Sequence, residues 1–239
     1  MPLLSSNPTQ QCRWRTFNTT AELEQATTQA ILQTALLAIS LRGAFHIVLA
    51  GGTTPRHVYE SLRNADADWA AWHIYFGDER CLPADHVERN SWMAAQAWLN
   101  HVAIPRTQIH FIPTEEGARA AASAYTQTLA DIELFDLVLL GLGEDGHTAS
   151  LFPGHELANT TDAPAVIVVE NAPKYPPQRI SLSAHRLSMA HKVIFIVSGA
   201  MKQQAVENWR DGIAIPAAAV SPTNGVDIYL EAALLAHTR

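Results

Sequence analysis

Apolar positions along this chain gather in short β-branched or aliphatic runs, at residues 45–50, 73–76, 109–112, 135–140, 165–169, 179–182, 193–197 and 226–230. Several are apolar at consecutive rather than alternate positions, the pattern of strands covered on both faces in a parallel sheet. Between them lie good helix formers with apolar residues at helical spacing, at 20–41, 55–72, 91–102, 115–133 and 201–210. Strand and helix alternate, which predicts an α/β fold with a doubly wound, mostly parallel sheet and helices on both faces. No repeat, low-complexity tract or long linker interrupts the alternation, so residues 1–239 are read as one domain. Residues 154–186 hold two proline-rich pieces and shorter strands, and are read as a hairpin-like appendage.

Composition narrows the function classes. A chain of 239 residues that is 48% hydrophobic can bury a sizeable core. Its formal charge of −7 argues against a broad electrostatic grip on nucleic acid or on an anionic membrane surface. Any anion it binds must be met by a few cations in one place, and Lys174, Lys192 and Lys202 are its only lysines. Cys12 and Cys81, without paired spacing, exclude a disulfide framework and a zinc ribbon, which suits a reducing compartment. The opening MPLLSSNPTQQCRW lacks a basic segment followed by an apolar one, and no apolar run approaches the ~20 residues of a membrane span. A soluble, cytoplasmic protein with no nucleic-acid or membrane partner is expected.

In a doubly wound sheet, ligands sit at the carboxyl ends of the strands, so the loops there should hold the chemistry. Gly51, Gly52, Thr53, Thr54 and Pro55 leave the run HIVLA and enter a helix. The glycines allow close backbone approach, Thr54 can cap the helix, and its first N–H groups would then face outward as a phosphate cradle. No Gly-Lys-Ser/Thr follows, which argues against a nucleoside triphosphate, and taken by itself the loop reads slightly better as a tight turn built only for geometry. Asp78, Glu79 and Arg80 follow HIYF directly, and three adjacent charges at the end of a buried strand must pair or face a polar cleft.

The segment GLGEDGHTASLFPG is the most specific. Gly141, Gly143 and Gly146 match the dinucleotide spacing G-x-G-x-x-G, with Glu170 at a later strand end as the ribose acid. Pro153-Gly154 interrupts the long helix that this fingerprint needs, so the reading is set below another one resting on Asp145 and His147. Histidine is the usual general base near neutral pH, and a carboxylate close by orients an imidazole. Most of the 11 histidines should be structural; His147 differs in sitting among glycines at the ligand edge. His147, His155 and Glu156 lack familiar metal-ligand spacing, and without G-x-S-x-G a serine hydrolase is disfavoured. Lys174 and Arg179 in APKYPPQR, and Lys202 after KVIFIV, place cations on further loops where a phosphate could be met.

These residues together resemble the 6-phosphogluconolactonases of the pentose phosphate pathway, in the superfamily that also holds the glucosamine-6-phosphate deaminases. The likeness covers nearly the whole chain: GGTTP, Asp78-Glu79-Arg80, Asn90 before a helix, GLGEDGHTASLFPG, PKYPPQRISLS, Val197-Ser198-Gly199 with Lys202, then IPAAAV and VDIYLEAA. Thr53, Tyr175 and Asn90-Ser91-Trp92 depart from the common residues. The resemblance implies a Rossmann-like sheet and hydrolysis of a sugar phosphate lactone without metal or organic cofactor. His147 would be the base, helped by Asp145, with Arg80 serving the oxyanion or the phosphate. Gly51, Gly52, Thr53, Asp78, Lys174, Arg179 and Lys202 would line the phosphate and sugar region. The deaminases carry Asn-Glu-Pro after the histidine, where this chain has Leu151-Phe152-Pro153. A deaminase or a non-catalytic sugar-phosphate sensor are the alternatives, and a monomer or weak homodimer is expected.

Overall fold

The computed structural model describes residues 10–235. Most of the N-terminal stretch read above for targeting signals lies outside them. Among the described residues, nine strands and six α-helices run in the order β1 (Cys12–Phe17), α1 (Thr20–Arg42), β2 (Phe45–Leu49), α2 (Thr53–Leu62), β3 (Trp72–Phe76), β4 (Asp78–Arg80), α3 (Asn90–Ala94), α4 (Ala118–Thr128), β5 (Leu137–Gly141), β6 (Val166–Val169), β7 (Arg179–Leu182), α5 (Ala184–Ser188), β8 (Val193–Val197), α6 (Gln203–Arg210) and β9 (Val226–Glu231). Six strands form a sheet in the order β1-β9-β8-β5-β2-β3, and every pairing within it is parallel. The remaining three make a small antiparallel sheet, β4-β7-β6. The expected α/β architecture is present, and the appendage is the β6–β7 hairpin with the charged triplet Asp78–Arg80 as its third strand.

The buried pattern follows from the sequence. All five residues of β8 are buried, as are the first four of β5, so the centre of the sheet is covered on both sides. One apolar core runs from Leu23 in α1 through both sheets to Leu234. Helix α1 starts where the Thr19 side chain accepts from Glu22 N, and it stops at Gly43, whose φ of 80° lets its N–H reach Ile39 O at 2.8 Å.

Several predicted elements differ in extent. The helix expected at 55–72 ends at Leu62, and only a short 3₁₀ turn, Trp69–Ala71, follows, because Asn64, Asp66 and Asp68 favour turns over helix interior. The helix expected at 115–133 starts only after Gly117, which adopts φ 91°. That expected at 91–102 continues α3 as a single π turn, Ala95–Leu99. The run at 109–112 makes only a bridge between Ile109 and Ile74. Strand β1 was hidden in CRWRTF, whose Arg13 and Arg15 alternate with half-buried Cys12 and Trp14. Among the described residues no helix is long and apolar enough to cross a membrane.

Candidate active site

At the carboxyl ends of β2, β3, β5 and β8 a cleft of about 700 Å³ opens, and it gathers Gly51, Gly52, Thr53, Asp78, Arg80, His147, Lys174, Arg179 and Lys202. Of the ten site residues that the resemblance implied, only Asp145 lies outside its lining, and it is hydrogen-bonded to His147 from behind.

The turn between β2 and α2 is shaped by contacts on both sides. Ala50 N donates to the Tyr59 hydroxyl and that hydroxyl donates to Ala50 O, each at 2.9 Å, fastening the strand end to the helix. A Cβ at Gly51 would lie 2.0 Å from Asn90 Oδ1, so glycine is required there by close approach. Gly52, at φ 111°, is the N-cap of α2 and supplies no side-chain cap. Thr54 does not cap the helix as expected; its hydroxyl meets Ser198 Oγ at 2.6 Å and ties this turn to the one after β8. The first N–H groups of α2 are therefore left for an anion, and the positive end of the helix dipole faces the cleft.

The three charges after β3 have three different fates. Glu79 is fully buried and accepts from Asn90 N at 2.9 Å and Ser91 N at 2.8 Å, with Arg89 Nε at 3.5 Å, so it caps α3 and has a structural role. Asp78 accepts from Asn90 Nδ2 and Ser150 Oγ. Arg80 lines the cleft, with Nη1 donating to Glu88 O at 2.5 Å and Nε buried without a partner.

After β5 the chain forms a tight loop instead of a helix. Gly143 N donates to His147 O at 2.7 Å, Gly146 N to Gly143 O at 3.1 Å, and Thr148 Oγ1 to Gly141 O at 2.8 Å. No helix follows the three glycines, so the dinucleotide fingerprint fails. Asp145 Oδ1 takes both the His147 backbone N–H, at 3.1 Å, and the ring Nδ1, at 2.5 Å. Burial alone would raise the Asp145 carboxyl, but these two hydrogen bonds and the ring's charge outweigh it and hold the group below its ordinary value. With Nδ1 engaged, Nε2 is the nitrogen that points away from the carboxylate. The Phe152 ring packs at 4.8 Å from the imidazole centroid. Ala149 adopts φ 47°, a left-handed conformation costing a non-glycine residue roughly 1 kcal/mol, two residues from the imidazole.

Cations surround this pair. Lys174 and Lys202 both line the cleft. Burial, with Glu144 opposing and Lys174 adding to it, pushes the Lys202 ammonium below its ordinary value. Arg179 is more occupied than the sequence suggested: Nε donates to Pro176 O at 3.2 Å, Nη2 to Lys174 O at 3.0 Å, and the guanidinium lies 5.7 Å from the Phe152 ring centroid. It fastens the 174–176 loop as well as bordering the cleft. Among the described residues no three His, Cys, Asp or Glu side chains gather to hold a metal, His147, His155 and Glu156 included.

Some participants carried no sequence signal of their own. Glu231 ends β9 as a lone acid after an apolar strand, with no motif around it; it accepts from Gly199 N at 2.9 Å and from the Thr20 hydroxyl. Glu24 and His57, 2.8 Å apart, also line the cleft. Only the fold brings those two together.

A doubly wound sheet with a His–Asp pair and cations at its strand ends is the architecture of an enzyme acting on a small anionic substrate. The chain matches the family model for glucosamine-6-phosphate isomerases/6-phosphogluconolactonase over residues 18–229, and it belongs to that family. It is similar to the 6-phosphogluconolactonase of Nostoc sp., 36% identical over 209 residues covering 82% of this chain and 85% of that one. It is likewise similar to the 6-phosphogluconolactonase of Synechocystis sp., 40% identical over 178 residues covering 71% and 72% of the two chains. The solved 6-phosphogluconolactonase of Trypanosoma brucei superposes with a TM-score of 0.84 at 28% identity, covering 94% of this chain and 98% of that one.

Proposed function

We propose that this chain hydrolyses 6-phospho-D-glucono-1,5-lactone to 6-phospho-D-gluconate, the lactone-opening step of the oxidative pentose phosphate pathway, with His147 as general base. The observation that carries the reading is the 2.5 Å contact between His147 Nδ1 and Asp145 Oδ1 in a cleft that also holds Arg80, Lys174 and Lys202. The relatives named above support the substrate class.

In the proposed reaction, His147 Nε2 takes a proton from water as the oxygen attacks the lactone carbonyl. Asp145 keeps the proton on Nδ1 and stabilises the imidazolium that forms. The tetrahedral oxyanion gathers charge beside Arg80. Collapse breaks the bond to the ring oxygen, which takes the proton back from the imidazolium; the new carboxylic acid then releases its own proton to solvent. Lys174, Lys202 and the N–H groups at Gly52 and Thr53 meet the phosphate. Phe152, apolar and packed on the imidazole, offers no carboxylate to His147, which weighs against the amino-sugar deaminase alternative.

The same proposal treats residues 1–239 as one catalytic domain, for which the continuous core speaks, and as a cytoplasmic monomer or weak homodimer, for which the free Cys12 and Cys81 suit a reducing compartment. The test is hydrolysis of freshly prepared lactone with the spontaneous rate subtracted. A rate no greater than the uncatalysed one would end this reading.

A further inference from the structure

Asp78 opens β4 and is 7% exposed, and both its carboxylate oxygens have partners. Oδ1 accepts from Asn90 Nδ2 at 3.0 Å, and Oδ2 accepts from Ser150 Oγ at 2.5 Å. The same Asn90 Nδ2 donates to the Asp78 carbonyl at 3.0 Å, while Asn90 Oδ1 packs against Gly51. Ser150 lies three residues after His147, is 1% exposed, and does not itself line the cleft. Its amide donates to Ser181 Oγ at 3.3 Å, which seats it on β7.

Three segments that build the cleft therefore meet on one buried carboxylate: the β2–α2 turn through Asn90, β4 directly, and the His147 loop through Ser150. Hydroxyl-to-carboxylate bonds this short are the strong, charge-assisted kind, and a buried carboxylate without its donors is costly. The positive charge of Arg179 lies close enough for Asp78 to act on it, so the carboxylate is compensated as well as hydrogen-bonded.

We propose that Ser150 is a positioning residue for the reaction, acting through Asp78, and that Asp78 holds the His147 loop in register with the Gly51–Gly52 turn instead of serving as a phosphate or sugar ligand. The effect on turnover rests on the lactonase reading above; the structural coupling does not. General bases are sensitive to placement, since a displacement of about 1 Å can cost a hundredfold in rate.

The full-length chain and its Ser150→Ala, Asp78→Ala and doubly substituted forms should be compared by steady-state kinetics on the lactone and by hydrogen exchange in peptides spanning residues 50–56 and 142–151. Ser150→Ala should lower kcat about tenfold to a hundredfold with KM within about twofold, and should speed exchange in both peptides although Ser150 touches only one. In the Asp78→Ala background the further loss of the Ser150 hydroxyl should change kcat by less than about twofold, as expected for two groups acting in series. Equal losses with and without Asp78, or faster exchange confined to residues 142–151, would overturn the proposal. If Ser150→Ala fails to fold, Asn90→Ala breaks the hub from the other side and should speed exchange at 142–151, although its side chain's hydrogen bonds go to Asp78; unchanged exchange there would overturn it equally. A parent protein without lactonase activity would sink the functional reading alone, because the exchange measurements still decide the coupling.

Discussion

Gly143 and His147 approach so closely that a Cβ on the glycine would stand 2.0 Å from the imidazole Nδ1. The second glycine of the loop is thus required by the ring, since any side chain there would drive the imidazole off Asp145. Gly141, by contrast, has open space where a Cβ would stand, with nothing within 4 Å. Gly143→Ala should therefore lower lactonase kcat by about one to two powers of ten, in line with a displaced general base, while Gly141→Ala changes stability by no more than about 0.5 kcal/mol. Activity assays paired with thermal melts check both; a fully active Gly143→Ala would mean that the ring position is not what turnover depends on.

His147→Ala should cost on the order of 10² to 10⁴ in rate, the usual range for a lost general base, without unfolding the chain, because the ring sits in a loop at the cleft. Asp145→Asn should cost less, as it removes the negative charge that orients the ring and raises its basicity and leaves the base in place. Circular dichroism and single-turnover rates on both variants are the measurement. Near wild-type turnover in His147→Ala would remove the residue from the mechanism.

Much of this site was legible in the sequence because its residues sit in loops directly after apolar strands, and the rule about strand ends points to such loops from the amino-acid pattern alone. Gly51, His147 and Lys202 were found that way. What the sequence hid was the partnership. Arg179 lines the cleft and also holds the carbonyls of 174 and 176, and Asp78 lines it while both its oxygens accept from Asn90 and Ser150; no spacing along the chain announces those partners. Strand β4 was hidden for a related reason: three charged residues carry no strand signal, and only pairing with β7 makes them one.

Turnover should survive exhaustive chelation, because the proposed base is an imidazole held by a carboxylate and its neighbours do not form a ligand set. The check is activity after prolonged treatment with a strong chelator. Loss of activity with recovery on adding one divalent ion would move His147 from proton transfer to coordination.

Acid stability should be governed by histidines far from the cleft. His46, His73 and His110 stack with Tyr75 across β2, β3 and the 109–110 bridge, with ring centroids 4.6 Å apart for His46 and His73 and 4.4 Å for Tyr75 and His110. Burial, then the charges of His73 and His46, lowers His110 from 6.5 to about 4. His46 and His73 are lowered too, chiefly by burial. Between those values the unfolded chain binds protons that the folded chain refuses, so stability is full above about pH 6.5 and falls as pH drops toward about 4. Asp145, lowered in the fold, contributes in a separate window, losing its share only as pH falls below the ordinary carboxylate range. Melting temperatures at about pH 7.5 and about pH 5 should differ more in wild type than in His110→Gln. Equal pH sensitivity in the two would clear the stack of responsibility.

On the proposed reading, a chain of net charge −7 has to hold a doubly negative phosphate by local means, and variants of Lys202 and Arg179 separate two ways of doing so. Lys202 lines the cleft beside Lys174, and its lowered ammonium pKa reflects burial there. Removing one charged hydrogen-bonding partner commonly forfeits roughly 1.5 to 3 kcal/mol, or about one to two powers of ten in affinity. Lys202→Ala should therefore lower kcat/KM for the phosphorylated lactone by that factor and scarcely change it for unphosphorylated gluconolactone. Arg179 is bound to the carbonyls of Pro176 and Lys174, so Arg179→Ala should loosen the 174–176 loop and lower kcat/KM for both substrates together. The ratio of the two substrates' kcat/KM values in each variant is the readout. If Lys202→Ala harms both substrates equally, its ammonium serves the reacting centre instead of the phosphate; if Arg179→Ala harms only the phosphorylated one, the guanidinium reaches the phosphate despite its hold on the loop.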